Sequence, residues 1–154
     1  MPMRSFLFSN VLPLSLIAFV LGLLFLPGAE AVPARGAAVN GFSCDVTSVH
    51  DGDGPIYCRG GTKIRLTAIA ARELDDSCRP HHPCPAASGA QARQALTALA
   101  AGQLLSCEAT GESYGRVTAW CWRPDGVELN CAMVRRGAAL HWARYDPAGR
   151  LCSG

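Results

Sequence analysis

Cysteine placement constrains this chain more than any other feature. All eight cysteines, Cys44, Cys58, Cys78, Cys84, Cys107, Cys121, Cys131 and Cys152, lie beyond residue 43. An even count in a short exported chain reads as a disulfide framework, which lets a small domain hold its shape around a modest core. The start of the chain carries the features of an export signal. Arg4 gives a positive beginning, "LIAFVLGLLFL" (residues 16–26) an apolar run, and Pro27-Gly28 a break. Ala29-Glu30-Ala31 then places small residues where a signal peptidase reads. A membrane anchor is the rival reading. A span needs about 20 apolar residues, and Ser9, Asn10 and Ser15 interrupt any longer window.

The expected organisation is a signal peptide over residues 1–31, a flexible lead over 32–41 and one folded domain over 42–154. The protein is expected to be periplasmic or extracellular, free of stable membrane association after cleavage, and monomeric. Zinc is the other use for cysteines, since Cys78 and Cys84 enclose His81 and His82. The gap between these cysteines is wider than the roughly two to four residues usual in structural zinc sites, and export favours oxidation. Lys and Arg total 14 against 12 Asp and Glu, and setting aside Arg4 and Glu30 leaves the balance at +2. That excess is too small to imply nucleic-acid binding from charge alone. Any phosphate must be held by particular arginines.

Alternation of apolar residues suggests strands at 42–50, 56–58, 64–69, 104–108 and 116–122. Asp51-Gly52-Asp53-Gly54 and Arg59-Gly60-Gly61-Thr62 supply turn chemistry between the first three. Ile64, Leu66 and Ala68 face the core in this reading, which sends Arg65 and Thr67 to the other side. A helix is predicted after Ser88, with Gln91 completing a capping box and Gly102 ending it. A shorter helix is predicted over 129–136. Three strands, a helix, two strands and a helix predict a mainly β, α+β domain: a small barrel with helices packed on it.

Five segments occur in one order: "HDGDG" in the first turn, "IRLTAIAARE" on the third strand, "GAQARQALTALAAGQLLSCEA" in helix and strand, "SYGRVTAW" on the fifth strand and "VELNCAMVRRGAA" in the last helix. Together they resemble the thermonuclease, or staphylococcal-nuclease-like, family over about residues 45–145. The resemblance implies a five-stranded OB-fold barrel and a calcium-dependent endonuclease that hydrolyses phosphodiester bonds of DNA and RNA. The family's catalytic residues fall here on Arg65, Glu73 and Arg116, its first metal carboxylate on Asp53, and its nucleotide-pocket tyrosines on Tyr114 and Tyr145.

The chemistry agrees with those roles. Hydrolysis builds negative charge around phosphorus, which forked guanidiniums offset better than ammonium groups. Calcium would polarise the phosphate, and Glu73 would hold the attacking water. Taken singly, each residue also has a plain reading as a turn former, a solvated strand residue or an exposed loop charge.

The pattern departs from the family in one place that matters. After the third strand the family reads aspartate, threonine or alanine, proline, glutamate, whereas this chain reads Ala70-Ala71-Arg72-Glu73. The second metal carboxylate is replaced by Ala70, and Arg72 is expected to add positive charge near the cation. Activity is therefore expected to be weak and poorly dependent on calcium. The alternative is a non-catalytic OB module that binds nucleic acid or an envelope protein, with Trp120, Trp122 and Trp142 as stacking candidates. A third reading is a small metal-binding periplasmic protein that uses His81 and His82. Gly54 stands where the family commonly has threonine, and the family's long last helix is expected to be missing. Disulfides would offset that lost packing. The element positions suggest Cys44–Cys58, Cys78–Cys84, Cys107–Cys121 and Cys131–Cys152, among the many pairings that eight cysteines allow.

Overall fold

Alternating apolar residues Cys44 and Val46 turn one face of the first strand inward, and a computed structural model shows how the chain closes around it. The structure describes residues 40–153. The expected signal peptide and nearly all of the expected lead lie outside the described residues. β1 (Gly41–Val49) begins within that lead and serves two partners. Its first half pairs antiparallel with β5 (Leu104–Ser113) and its second half with β2 (Ile56–Cys58). A register shift between Val46 and Ser48 marks the bend that lets one strand serve both sides of a barrel.

β2 pairs with β3 (Lys63–Leu66), β3 runs parallel to β6 (Arg116–Trp122), and β6 returns antiparallel to β5. The result is a closed five-stranded mixed barrel, an OB-like fold with two helices. Ile56, Ile64, Leu66 and Leu105 fill its centre. Helix α1 (Gly89–Ala100) starts at the Ser88–Gln91 capping box and packs Ala92, Leu96 and Leu99 into the same core. Helix α2 (Leu129–Arg135) adds Leu129 and Met133.

Four disulfides brace the domain, joining Cys44 to Cys58, Cys78 to Cys84, Cys107 to Cys121 and Cys131 to Cys152. Such a set belongs to a protein that folds in an oxidising environment. It also takes Cys78 and Cys84 out of reach of zinc. Among the described residues, no helix is long and apolar enough to cross a membrane.

Two differences from the sequence reading shape the site. The third strand does not run on to Ile69. Ala68 sits at φ +60°, so β3 stops at Leu66, and a separate β4 (Ile69–Ala70) pairs with β7 (Leu140–His141). After α2 there is no further α-helix among the described residues. The tail is instead built on the buried carboxylate of Asp146, which accepts the N–H groups of Arg150 (2.7 Å) and Leu151 (3.0 Å) and meets His141 Nε2 at 3.1 Å.

Candidate functional site

The outer face of β2, β3 and β6 carries the polar side chains, and register determines which of them meet. Tyr57 stands opposite Lys63, and Arg65 opposite Thr118. Side chains two apart on a strand share a face, so Lys63 and Arg65 on β3 lie beside Arg116 and Thr118 on β6. A cleft of about 360 Å³ opens there, lined by His50, Asp51, Pro55, Tyr57, Lys63, Glu73, Arg79, Tyr114 and Arg116. Another hollow, beside the bulge of β5 at Thr110 and Gly111, has only Glu112 as a charged lining residue.

Of the three expected catalytic residues, Glu73 and Arg116 line the cleft and Arg65 does not. The Arg65 guanidinium is turned onto Asp53. Nη1 forms an ion pair with Asp53 Oδ1 and also reaches the Asp53 carbonyl at 3.3 Å, while Nη2 reaches the Ile69 carbonyl at 3.3 Å. Both side chains are nearly hidden, at 12% and 13% exposure. Arg116 is differently placed: its Nε donates to the Ser113 carbonyl at 3.1 Å, and its terminal nitrogens have no protein partner among the described residues. Glu73 Oε1 lies 2.6 Å from Arg79 Nε. Tyr114, 91% exposed, stands at the rim, whereas Tyr145 packs edge-on against Trp142 and does not line the cleft.

Glycines let the backbone close around this site. Gly54 has φ +118°, and a Cβ there would collide with the Ile64 carbonyl, so a threonine does not fit this turn. Gly89 opens α1 against the Glu73 carbonyl with no room for a Cβ. The helix start thereby fixes the backbone that presents Glu73.

Asp51 is the most perturbed group. Burial pushes its carboxyl up to about 7, neighbouring Asp53 and Glu73 add to the rise, and the Asp53 N–H and Arg65 partly oppose it. Burial also lowers His82, helped by Arg65 and Arg79 and opposed by Asp53 and Glu73, so this imidazole borders the same charges. It packs on Trp142 with ring centroids 4.1 Å apart.

The groups around Asp53 do not fit calcium as they stand. A hard cation takes six to eight oxygens at roughly 2.3–2.6 Å, usually with more than one carboxylate. Asp53 Oδ1 is held by Arg65, and Oδ2 accepts the Ala71 N–H at 2.9 Å. The group of Ala71 that faces Asp53 is thus a donor, Ala70 is fully buried and its side chain has no ligand atom, and Glu73 is held by Arg79. Among the described residues no three His, Cys, Asp or Glu side chains cluster to hold a metal, His81 and His82 included.

Arg72 departs from its expected place beside a cation. Its guanidinium donates to the Pro85 and Asp76 carbonyls at 2.8 and 2.7 Å, bracing the loop ahead of α1. Trp120 is buried beneath Arg150 and unavailable for stacking.

Sequence reading missed Lys63, Tyr57, His50 and Arg79 as cleft residues. Lys63 was detectable two positions before Arg65 on the same face. Arg79 carried no local signal, because the loop closed by Cys78–Cys84 must fold back to bring it there. No protein-family model and no curated protein matches the chain.

Proposed function

We propose that this is an exported, nuclease-like protein of thermonuclease type that engages nucleic-acid phosphodiesters and hydrolyses them weakly in the periplasm or outside the cell. The observation that carries the reading is the shared cleft: Arg116 and Glu73 face one polar hollow with Tyr114 at its rim. Arg116 offers its free terminal nitrogens to two phosphate oxygens. Glu73, oriented by Arg79, accepts a hydrogen bond from the attacking water. Tyr114 gives a base a surface to stack on. Arg65 neutralises Asp53 and does not face the cleft. The low activity follows from a carboxylate set that offers a cation no cage, so no step here is assigned to calcium.

The test is cleavage of single-stranded DNA and of RNA by the purified, disulfide-intact protein against an Arg116→Ala variant. Arg116 is the better control than Arg65, because removing Arg65 would leave the Asp53 carboxylate unpaired and nearly buried. Turnover that drops by about a hundredfold or more in the variant supports the proposal, since preorganised charge contributes on that order. Equal turnover in the two proteins rejects it. A second reading, a non-catalytic module that binds nucleic acid or an envelope protein, is favoured by the closed Arg65–Asp53 pair. Salt-sensitive strand binding without turnover would support its nucleic-acid form.

A further inference from the structure

Three cations in the cleft keep unpaired donors facing it. Lys63 makes no side-chain hydrogen bond or ion pair among the described residues. Arg79 uses Nε on Glu73, and Arg116 uses Nε on the Ser113 carbonyl. Among the described residues the terminal nitrogens of the two guanidiniums therefore make no hydrogen bond, while the contacts at Nε fix their orientation. Arg65, by contrast, has all its geometry turned inward to Asp53 and Ile69. Of the acids lining the cleft, Glu73 is already matched by Arg79, and Asp51 is largely buried and points an oxygen at the Asp53 N–H. The cleft thus carries unmatched positive charge, since Lys63 and Arg116 have no acidic partner among the described residues.

We propose that Arg79, carried into the cleft by the Cys78–Cys84 loop, acts with Lys63 and Arg116 as a metal-independent clamp for a phosphate group, in place of the calcium that the carboxylates cannot cage. This deepens the proposed function and rests on it for the source of the phosphate, a nucleic-acid strand. The clamp itself requires only a tetrahedral phosphate oxyanion. Arg79 is suited to it because its ion pair with Glu73 is closest at Nε, at the base of the fork, while the terminal nitrogens make no hydrogen bond among the described residues. Its position next to Cys78, inside a loop closed by a disulfide of sequence separation 6, limits how far it can swing away.

The test is equilibrium binding of an oligothymidylate of about ten nucleotides, a length within the usual reach of an OB barrel. Binding is measured in excess chelator over a range of salt, then with millimolar calcium. A parallel arm follows backbone amide shifts at the cleft on titration with inorganic phosphate. Arg79→Ala is compared with Arg93→Ala, an exposed change on α1 outside the cleft.

The expected result is strand binding in chelator that calcium does not tighten. Arg79→Ala weakens it about tenfold at low salt and reduces the slope of log affinity against log salt by about 0.7, the loss of one phosphate contact on a single strand. Arg93→Ala changes neither. Strand binding that requires calcium, or that Arg79→Ala leaves untouched, overturns the clamp while the nuclease reading stands. Arg79-dependent phosphate shifts without strand binding support the clamp and overturn the nucleic-acid reading. No binding of either ligand overturns both.

Discussion

Asn130 is a fully buried polar side chain inside an apolar helix, and replacing it should unfold the domain more readily than any cleft mutation. The reason lies in where β3 ends. The parallel ladder between β3 and β6 stops at the pair Leu66 and Ala119, so the next part of β6 has no strand on that edge, only β5 on the other. Cys121 faces Cys107 with Cα atoms 4.2 Å apart, the spacing of a pair that exchanges no hydrogen bonds. Its N–H therefore points away from β5, into the gap. Asn130 fills that gap: Oδ1 accepts the Cys121 N–H at 3.2 Å, and Nδ2 donates to the carbonyls of Thr67 at 2.9 Å and Ala119 at 3.2 Å.

In Asn130→Ala the Ala119 carbonyl keeps the Thr67 N–H, but the Cys121 N–H and Thr67 carbonyl lose the partner they had. Each stranded buried group costs about 1–3 kcal/mol, and a water entering the space recovers part of it. A loss of about 3 kcal/mol results, which lowers Tm by on the order of 10–15 °C for a domain this size. Urea unfolding with disulfides intact measures it, as a lower midpoint at unchanged slope. Asn130→Asp should be at least as damaging at neutral pH, because its carboxylate offers no hydrogen to the two carbonyls. It should recover partly in acid, where the protonated group donates once. A destabilisation below about 1 kcal/mol for Asn130→Ala would refute the argument, since the gap would then not need a side chain.

Two further predictions concern other joints of the fold. Gly89→Ala places a methyl into the Glu73 carbonyl and should cost about 1–3 kcal/mol as the start of α1 backs away. An unchanged Tm together with unchanged Glu73 amide shifts would contradict it. Burial alone would raise the Asp146 carboxyl, but the Leu151 and Arg150 N–H groups and His141 hold it below the usual value. A depressed carboxyl stabilises the fold above its unfolded pKa, about 3.9, and this support fades as pH falls through the lower folded value. Asp146→Asn should therefore lower stability at pH 7, and its gap from the wild type should narrow as pH falls below about 3.9. A gap of constant size across that range would disprove the assignment.

What was legible in the sequence is what neighbours in the chain decide. The Ser88–Gln91 box, the apolar stripe of α1, the turn glycines and the hairpin strands each rest on a few adjacent residues, and the structure has them. The break after Leu66 was not legible, because an alanine at positive φ carries no mark in its side chain. Its cause is distant: Ala68 gives its carbonyl to the Trp142 N–H at 2.7 Å, and β4 is drawn to β7. The site divides in the same way. Arg116 and Glu73 could be placed from strand order and motif spacing. The pairing of Arg65 with Asp53, the diversion of Arg72 to loop carbonyls and the arrival of Arg79 depend on contacts that no local pattern records.

The order of the disulfides has a consequence for biogenesis. The eight cysteines pair off consecutively along the chain, 44 with 58, 78 with 84, 107 with 121 and 131 with 152, so no bridge encloses or crosses another. Threaded N-terminus first into an oxidising compartment, the polypeptide would present its thiols two at a time, and each couple could close before a competitor emerged. On such a route correct connectivity would follow from the sequence of arrival, with little need for an enzyme to reshuffle mistakes.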